Sequence, residues 1–326
     1  MTRAIGLFSG GLDSILAACV LAEQGIELTG ICFETPFFGA GRAREAARKL
    51  GIPLRVEDIT APHLLVLKRP RHGFGSGMNP CIDCHTLMVS RAGELMREEG
   101  FDFVFTGEVL NERPMSQNRR SLKIVETQSG CAGRLLRPLS AQLLDETIPE
   151  KEGKVDRARL LGISGRSRKP QMALAEKFAI AAYPQPAGGC LLTDPGFASR
   201  LKELRDREGL DDVRGLHLLK IGRHFRLPGG GKAVVGRNER ENARLEELAR
   251  KGDALLRPKN VPGPVVLVPG GAGAADLEEA ARACARYSDA REEDEVLVVV
   301  AAGGEEMTRR VRRPAPAALR LIRIGI

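Results

Sequence analysis

Over its first 110 residues the chain alternates short apolar runs with helix-length segments, and this alternation narrows the possible folds more than any other feature. Residues 4–8, 26–33, 53–59 and 101–109 read as strands. Between them, a helix is expected from about Asp13 to Glu23. A second spans 42–50 and is closed by Gly51, and a third runs from about Thr86 to Glu99 and is ended by Gly100. Strands joined through helices imply right-handed crossovers and a parallel sheet covered on both faces. Ligands of such α/β sheets bind at the carboxyl ends of the strands. From about Gly196 the pattern changes to a charged helix, glycine-rich turns and short strands at 263–270 and 295–302. A boundary is therefore expected between about 195 and 212, with a smaller α+β domain after it.

The balance of 43% hydrophobic and 28% charged residues is that of a globular protein. No apolar window is long enough to cross a bilayer, and the apolar run near Met1 is too short for a signal peptide. The expected location is the cytoplasm, where thiols stay reduced, with no membrane partner. A formal charge of +8 accompanies basic clusters at Lys68–Arg71, Arg119–Arg120, Arg166–Lys169 and Arg309–Arg313. Together they favour a polyanionic partner. Aromatics make up 4% of the chain and Trp is absent, so base stacking cannot dominate a nucleic-acid contact.

Of seven cysteines, Cys19, Cys32 and Cys284 sit in apolar, periodic contexts and read as small buried hydrophobes. Cys81 and Cys84, followed at once by His85, lie instead in a Gly/Pro/Asn-rich stretch read as a loop. That pattern fits haem attachment, half a zinc or iron–sulfur site, a redox pair or a disulfide. Haem attachment and a disulfide both suit exported chains, and nothing here directs export. Cys131 reads as a loop residue, and His63 and His72 as surface residues.

"FSGGLDS", Phe8 to Ser14, falls where the first strand gives way to the first helix. Its glycines let successive N–H groups converge on one anion, and the helix start adds partial positive charge. Ser9 and Ser14 supply hydroxyls, and Asp13 can hold magnesium or steer phosphates. The plainer reading is a strand-to-helix turn capped by Asp13 or Ser14. "GGGKA" (229–233) is no Walker loop, because Ala233 stands where a metal-binding hydroxyl is needed. It and "GGAGAAD" (270–276) read as turns.

Ser-Gly-Gly-x-Asp-Ser resembles the signature of the PP-loop ATP pyrophosphatases, and the likeness extends over roughly the first 200 residues. That family cleaves ATP between the α and β phosphates, attaches AMP to a substrate oxygen and lets a nucleophile displace it. "TGEVLNERPMSQNRRSL" (106–122) and "LLRPLSAQLLDETI" (135–148) resemble 4-thiouridine synthases, and "NPCIDCH" (79–85) resembles tRNA 2-thiouridylases. The resemblance implies ATP binding by Phe8, Ser9, Gly10, Gly11, Asp13, Ser14, Phe33, Gly107 and Glu108. Ser116 and Gln117 would help to shape the pocket. It also implies catalytic roles for Asp13, Cys81, Cys84 and Cys190, the last in "PAGGCLLTDP" (186–195). In other branches of the thiolation enzymes such a cysteine trio holds a [4Fe–4S] cluster with one open iron. The alternatives are a persulfide relay, with Cys190 as carrier and Cys81 or Cys84 as resolving thiol, or a structural zinc with His85 added.

From about Gly215 the chain resembles the NFACT RNA-binding domain over about 90 residues, through Gly236-Arg237-Asn238, Asn242, Asp253 and the helix running into Tyr287-Ser288. Ala254-Leu255-Leu256 departs from that family, which often has an aromatic and a His there. Lys232, Arg237 and Lys259 are the expected phosphate contacts. The expectation is then a tRNA sulfurtransferase. Its PP-loop domain would span 1–200 and its RNA-binding domain 212–326, using ATP, magnesium and hydrosulfide or a persulfide carrier as sulfur donor. Two rivals are an ATP pyrophosphatase with a nitrogen nucleophile and a small substrate, and a non-catalytic RNA-binding adaptor.

Overall fold

A computed structural model of the chain describes residues 1–181, 183, 190–291 and 294–325. They divide into two compact units, Met1–Thr193 and Asp194–Ile326. The first begins with β1 (Arg3–Leu7), α1 (Leu12–Ala22), β2 (Glu27–Glu34), α2 (Gly41–Leu50), β3 (Leu54–Asp58) and α3 (Thr60–Lys68). It continues with α4 (Cys81–Glu99), β4 (Phe103–Thr106), α5 (Arg119–Gln128), β5 (Leu135–Leu136), α6 (Ile148–Lys151) and α7 (Lys169–Lys177).

All five strands are parallel, in the order β3-β2-β1-β4-β5. Neighbouring residues on a strand face opposite ways. Ala4, Phe103 and Phe105 thus join the core under α1 and α2, while Ile5, Ile31 and Val104 join the core under α4 and α5. This is the doubly covered sheet that the alternating pattern requires. Gly51 and Gly100 close α2 and α4 in the left-handed conformation, at φ 66° and 70°. The strand order turns back on itself between β1 and β4, so their carboxyl ends form the switch point where a ligand crevice opens.

Two local expectations are corrected. α4 begins at Cys81 rather than near Thr86, so both cysteines lie in its first turn and not in a loop. Pro80 is the reason: its fixed φ suits a helix start, and its carbonyl accepts Cys84 N–H at 2.8 Å. The unexpected α3 carries Pro62 in its first turn, where no N–H is needed. It turns His63 fully inward, with the Phe37 and Phe38 rings each 5.5 Å from the imidazole, so His63 is a core residue and not a surface one. Burial drives its pKa down to about 4, and it stays neutral there. Cys131 is a loop residue, as read, between α5 and β5, and its thiol is packed into the core against Gly93, where any Cβ would strike its sulfur.

In the second unit come α8 (Pro195–Arg207), α9 (Val213–Leu218), β6 (Arg223–Arg226), β7 (Lys232–Val235), α10 (Glu239–Leu248) and β8 (Ala254–Pro258). β9 (Val266–Val268), α11 (Ala274–Arg286), β10 (Glu295–Ala302), β11 (Glu305–Arg312) and β12 (Arg323–Ile324) complete it. Its seven strands form one antiparallel sheet, β11-β10-β8-β9-β7-β6-β12. The Ala-rich α11 packs on one face. Leu218 and Leu245, at the end of α9 and in α10, cover the other. Asp194 caps α8 by accepting Phe197 N–H at 2.7 Å, and so opens the unit at a helix start. Asp253 forms a buried ion pair with Arg214 and also accepts Gly270 N–H at 2.9 Å, tying α9 to two turns.

Candidate functional site

The turn after β1 is built by its main chain. Gly10 takes φ 71°, and a Cβ there would run into the Arg42 carbonyl. Ser14 Oγ donates to Gly11 O at 2.8 Å, and Gly11 N–H donates to Ser9 Oγ at 3.3 Å. No side chain caps α1, so its first-turn N–H groups stay available to an anion. From the neighbouring strand, Gly107 backs directly onto Asp13 and Ser14; a Cβ at 107 would lie 2.5 Å from their backbone. Phe8 and Phe33 are buried in the two cores, so each can offer a nucleotide its backbone only.

Asp13 stands half-buried at this turn. Burial raises its pKa, and Arg168, Gln171 and Arg113 offset that only partly. Its Oδ1 has no hydrogen-bond partner among the described residues, and neither has Oε2 of nearby Glu112. An orphaned pair of carboxylate oxygens beside open N–H groups suits a magnesium-bound phosphate.

Glu108 is already engaged. It accepts from Arg137 Nε at 3.0 Å and from Thr106 Oγ1 at 3.1 Å, and lies 2.8 Å from His85 Nδ1. Burial alone would raise its pKa, but the Arg137 charge and the His85 contact prevail and hold it at about 2. Through these partners Glu108 ties the end of β4 to α4 and to Arg137. Gln117 is also turned to the chain, accepting Arg113 N–H at 3.1 Å, and Ser116 is buried. Side chains here that the sequence reading did not single out are Glu112, Arg113, Arg137, Arg168 and Gln171. Glu112, Arg113 and Arg137 lie inside the quoted motifs, and the Arg166–Lys169 run was read only as favouring a polyanionic partner.

The three cysteines converge. Leu191 N–H donates to Phe37 O at 3.1 Å and Met78 N–H to Leu192 O at 3.1 Å, which docks Cys190 beside the start of α4. Asn79 Nδ2 donates to Cys81 Sγ at 3.1 Å. Cys84 is buried, and burial, followed by Cys190 and Cys81, pushes its thiol pKa well up. Burial takes Cys190 up to about 11, with Arg113 pulling the other way. No group of three or more His, Cys, Asp or Glu among the described residues is set to hold a metal ion. Pro186, Gly188 and Gly189 of the Cys190 segment lie outside the described residues.

In the second unit the expected RNA contacts part company. Lys232 is buried in β7, with burial lowering its pKa, so it offers no charge at the surface. β7 is buried along its whole length in a sheet covered on both faces, an outcome that a glycine-rich flank hides in the sequence. Arg237 is exposed but bonded to Glu241 through Nε at 3.0 Å, and Lys259 is exposed. The "GGGK" turn is filled from within: Gly229 and Gly231 N–H groups donate to Asp276 at 2.6 and 3.0 Å. The turns are shorter than read: 229–233 enters β7 at Lys232, and 270–276 enters α11 at Ala274.

Residues 222–318 match the family model for the NFACT protein RNA binding domain. The chain is 27% identical over 254 residues to a tRNA-specific 2-thiouridylase MnmA of Roseiflexus sp. (strain RS-1), covering 70% of this chain and 68% of that one. A protein of the same name from Chloroflexus aggregans is 27% identical over 251 residues, covering 70% and 66%. The chain spans about two thirds of the length of these relatives. A solved 4-thiouridine synthetase–RNA complex with bound ATP overlaps 55% of this chain and 52% of that one, with 21% identity and a TM-score of 0.36. No helix among the described residues is long and apolar enough to cross a membrane. The chain therefore joins a part similar to tRNA 2-thiouridylases to a segment that matches the NFACT RNA-binding domain.

Proposed function

We propose that the chain is an ATP-dependent tRNA uridine thiolase, a sulfurtransferase that activates a uridine carbonyl as its adenylate. One observation carries this reading: three cysteines come together beside the start of α4, in the same unit as an anion-binding turn at the carboxyl end of β1. Similarity to tRNA 2-thiouridylases and the NFACT match support tRNA as the substrate. Oxide and hydroxide leave carbon poorly and AMP leaves well, which is why ATP is consumed. The turn at Ser9–Ser14 holds the phosphates, and Asp13 would hold magnesium, which supplies charge compensation when bound.

For sulfur delivery the reading is the persulfide relay. Cys190, loaded by a persulfide donor, presents its outer sulfur to the adenylated carbon, and AMP departs with the bonding pair. Cys81 or Cys84 then attacks the Cys190 sulfur, forms a disulfide and releases the thiocarbonyl; an external thiol must reduce that disulfide. Asn79 orients the Cys81 sulfur through its Nδ2 hydrogen bond. The second unit would supply RNA affinity through exposed residues such as Arg237 and Lys259. Nucleoside mass spectrometry of tRNA from a deletion strain tests the whole reading. Loss of one thiouridine, restored by the intact gene and not by a Cys190→Ser copy, is the expected result; an unchanged nucleoside profile would refute it.

A further inference from the structure

The basic run Arg166–Lys169, which in sequence reads as part of a patch facing a polyanion, ends at the start of α7. α7 packs against α1, with Arg168 at its N-cap and Pro170 in its first turn. Gln171 turns inward and is fully buried, yet neither amide atom has a hydrogen-bond partner among the described residues. An unpaired buried amide is costly, and such groups persist mainly where something else completes them. Gln171 comes alongside Asp13, whose Oδ1 is orphaned in the same way.

The facing segment is strapped in place. Leu110 N–H donates to Ser140 Oγ at 2.9 Å, Ser140 Oγ donates to Ile163 O at 2.7 Å, and Gly165 N–H donates to Leu110 O at 2.8 Å. Asn111 takes φ 64° at the bend, a conformation that costs a non-glycine residue energy. These straps hold Glu112 and Arg113 close to Arg168. Neither guanidinium forms an ion pair among the described residues, so both keep their donors for a ligand.

We propose that Arg168 and Gln171, with Arg113, form the far wall of the phosphate site and hold the pyrophosphate as it leaves. This rests on the ATP-cleaving reading above. When the bond between the α phosphorus and its bridging oxygen breaks, the electron pair goes to the pyrophosphate, and the uridine oxygen bonds to phosphorus in its place. The added negative charge appears on the side away from the adenylate. Main-chain N–H groups of α1 meet the phosphates from one side, and the side chains of α7 meet them from the other. The run Arg166–Lys169 then serves ATP rather than tRNA.

The test uses the intact chain with Arg168→Ala, Arg168→Lys and Gln171→Ala, titrated by calorimetry with magnesium pyrophosphate, AMP and tRNA. Arg168→Ala and Gln171→Ala should each weaken pyrophosphate at least about tenfold, the loss of one charge-assisted or buried hydrogen bond. AMP and tRNA affinity should stay within about twofold, with Arg168→Lys intermediate for pyrophosphate. Arg168 is half-buried at a helix cap, so its variants should fold even if Gln171→Ala does not. Unchanged pyrophosphate binding, an equal loss of AMP, or a loss of tRNA instead would each overturn the proposal. A wild-type chain that binds neither ATP nor pyrophosphate would overturn the underlying reading as well.

Discussion

Arg137 and Glu108 form an ion pair buried on both sides, Nε to Oε2 at 3.0 Å, with side chains 4% and 5% exposed. Such a pair is costly to break one partner at a time, because the survivor keeps a buried charge. Glu108→Ala should therefore destabilise the chain by about 3–5 kcal/mol, read from the urea midpoint. The pair also fixes a pH dependence. The Glu108 pKa falls from an ordinary 4.5 to about 2 on folding, so its contribution is complete above 4.5 and is lost as pH falls toward 2. Urea midpoints between pH 7 and 3 should decline below 4.5 in the wild type. That decline should be shallower in Glu108→Gln; equal slopes would dismiss the pair as its source.

Asp13→Ala should cut ATP-to-AMP turnover by at least about a hundredfold, since charge handling at transferring phosphates supplies several kcal/mol. Stability should hold or rise, because burial raises the Asp13 pKa and its Oδ1 lacks a partner. Pyrophosphate release measured beside thermal melting separates the two effects. Native-rate turnover would remove Asp13 from the chemistry.

Cys81→Ser and Cys190→Ser should abolish thiolation while leaving adenylate formation intact, since the thiols act after activation. Under the relay, anaerobically purified protein needs no iron for single-turnover sulfur transfer from a loaded persulfide. Brown protein with about four iron and four sulfide per chain, losing both in either variant, would replace the relay by a cluster.

tRNA binding should weaken steeply with salt and only mildly with sequence, because Lys and Arg against phosphates supply it. Lys259→Glu should reduce affinity in an electrophoretic titration at low salt, whereas Lys232→Met should not, since Lys232 is buried. Equal losses from both would mean that the buried lysine reaches RNA.

Much of the fold was legible because hydrophobic period and glycine punctuation are local signals. β1, α1, β2 and α2 fall within a residue or two of their expected places, and Gly51 and Gly100 end helices as their type suggests. The phosphate turn was legible for the same reason. What escaped was set by packing between distant segments. His63 looks like a surface histidine until α3 folds onto Phe37 and Phe38. The partner of Glu108 is Arg137, 29 positions on, which no local pattern announces. Gln171 and Arg168 carry no motif, and only the docking of α7 on α1 brings them to Asp13.

The close approach of Gly107 to Asp13 and Ser14, and of Gly10 to the Arg42 carbonyl, means that three separate stretches of main chain mould the anion cradle. None of them has that shape alone. A nucleotide that binds there binds only the assembled unit, and so draws the folding equilibrium toward it by mass action. Bound ATP is in that sense a fourth wall of the first unit, and adding it should raise that unit's resistance to unfolding.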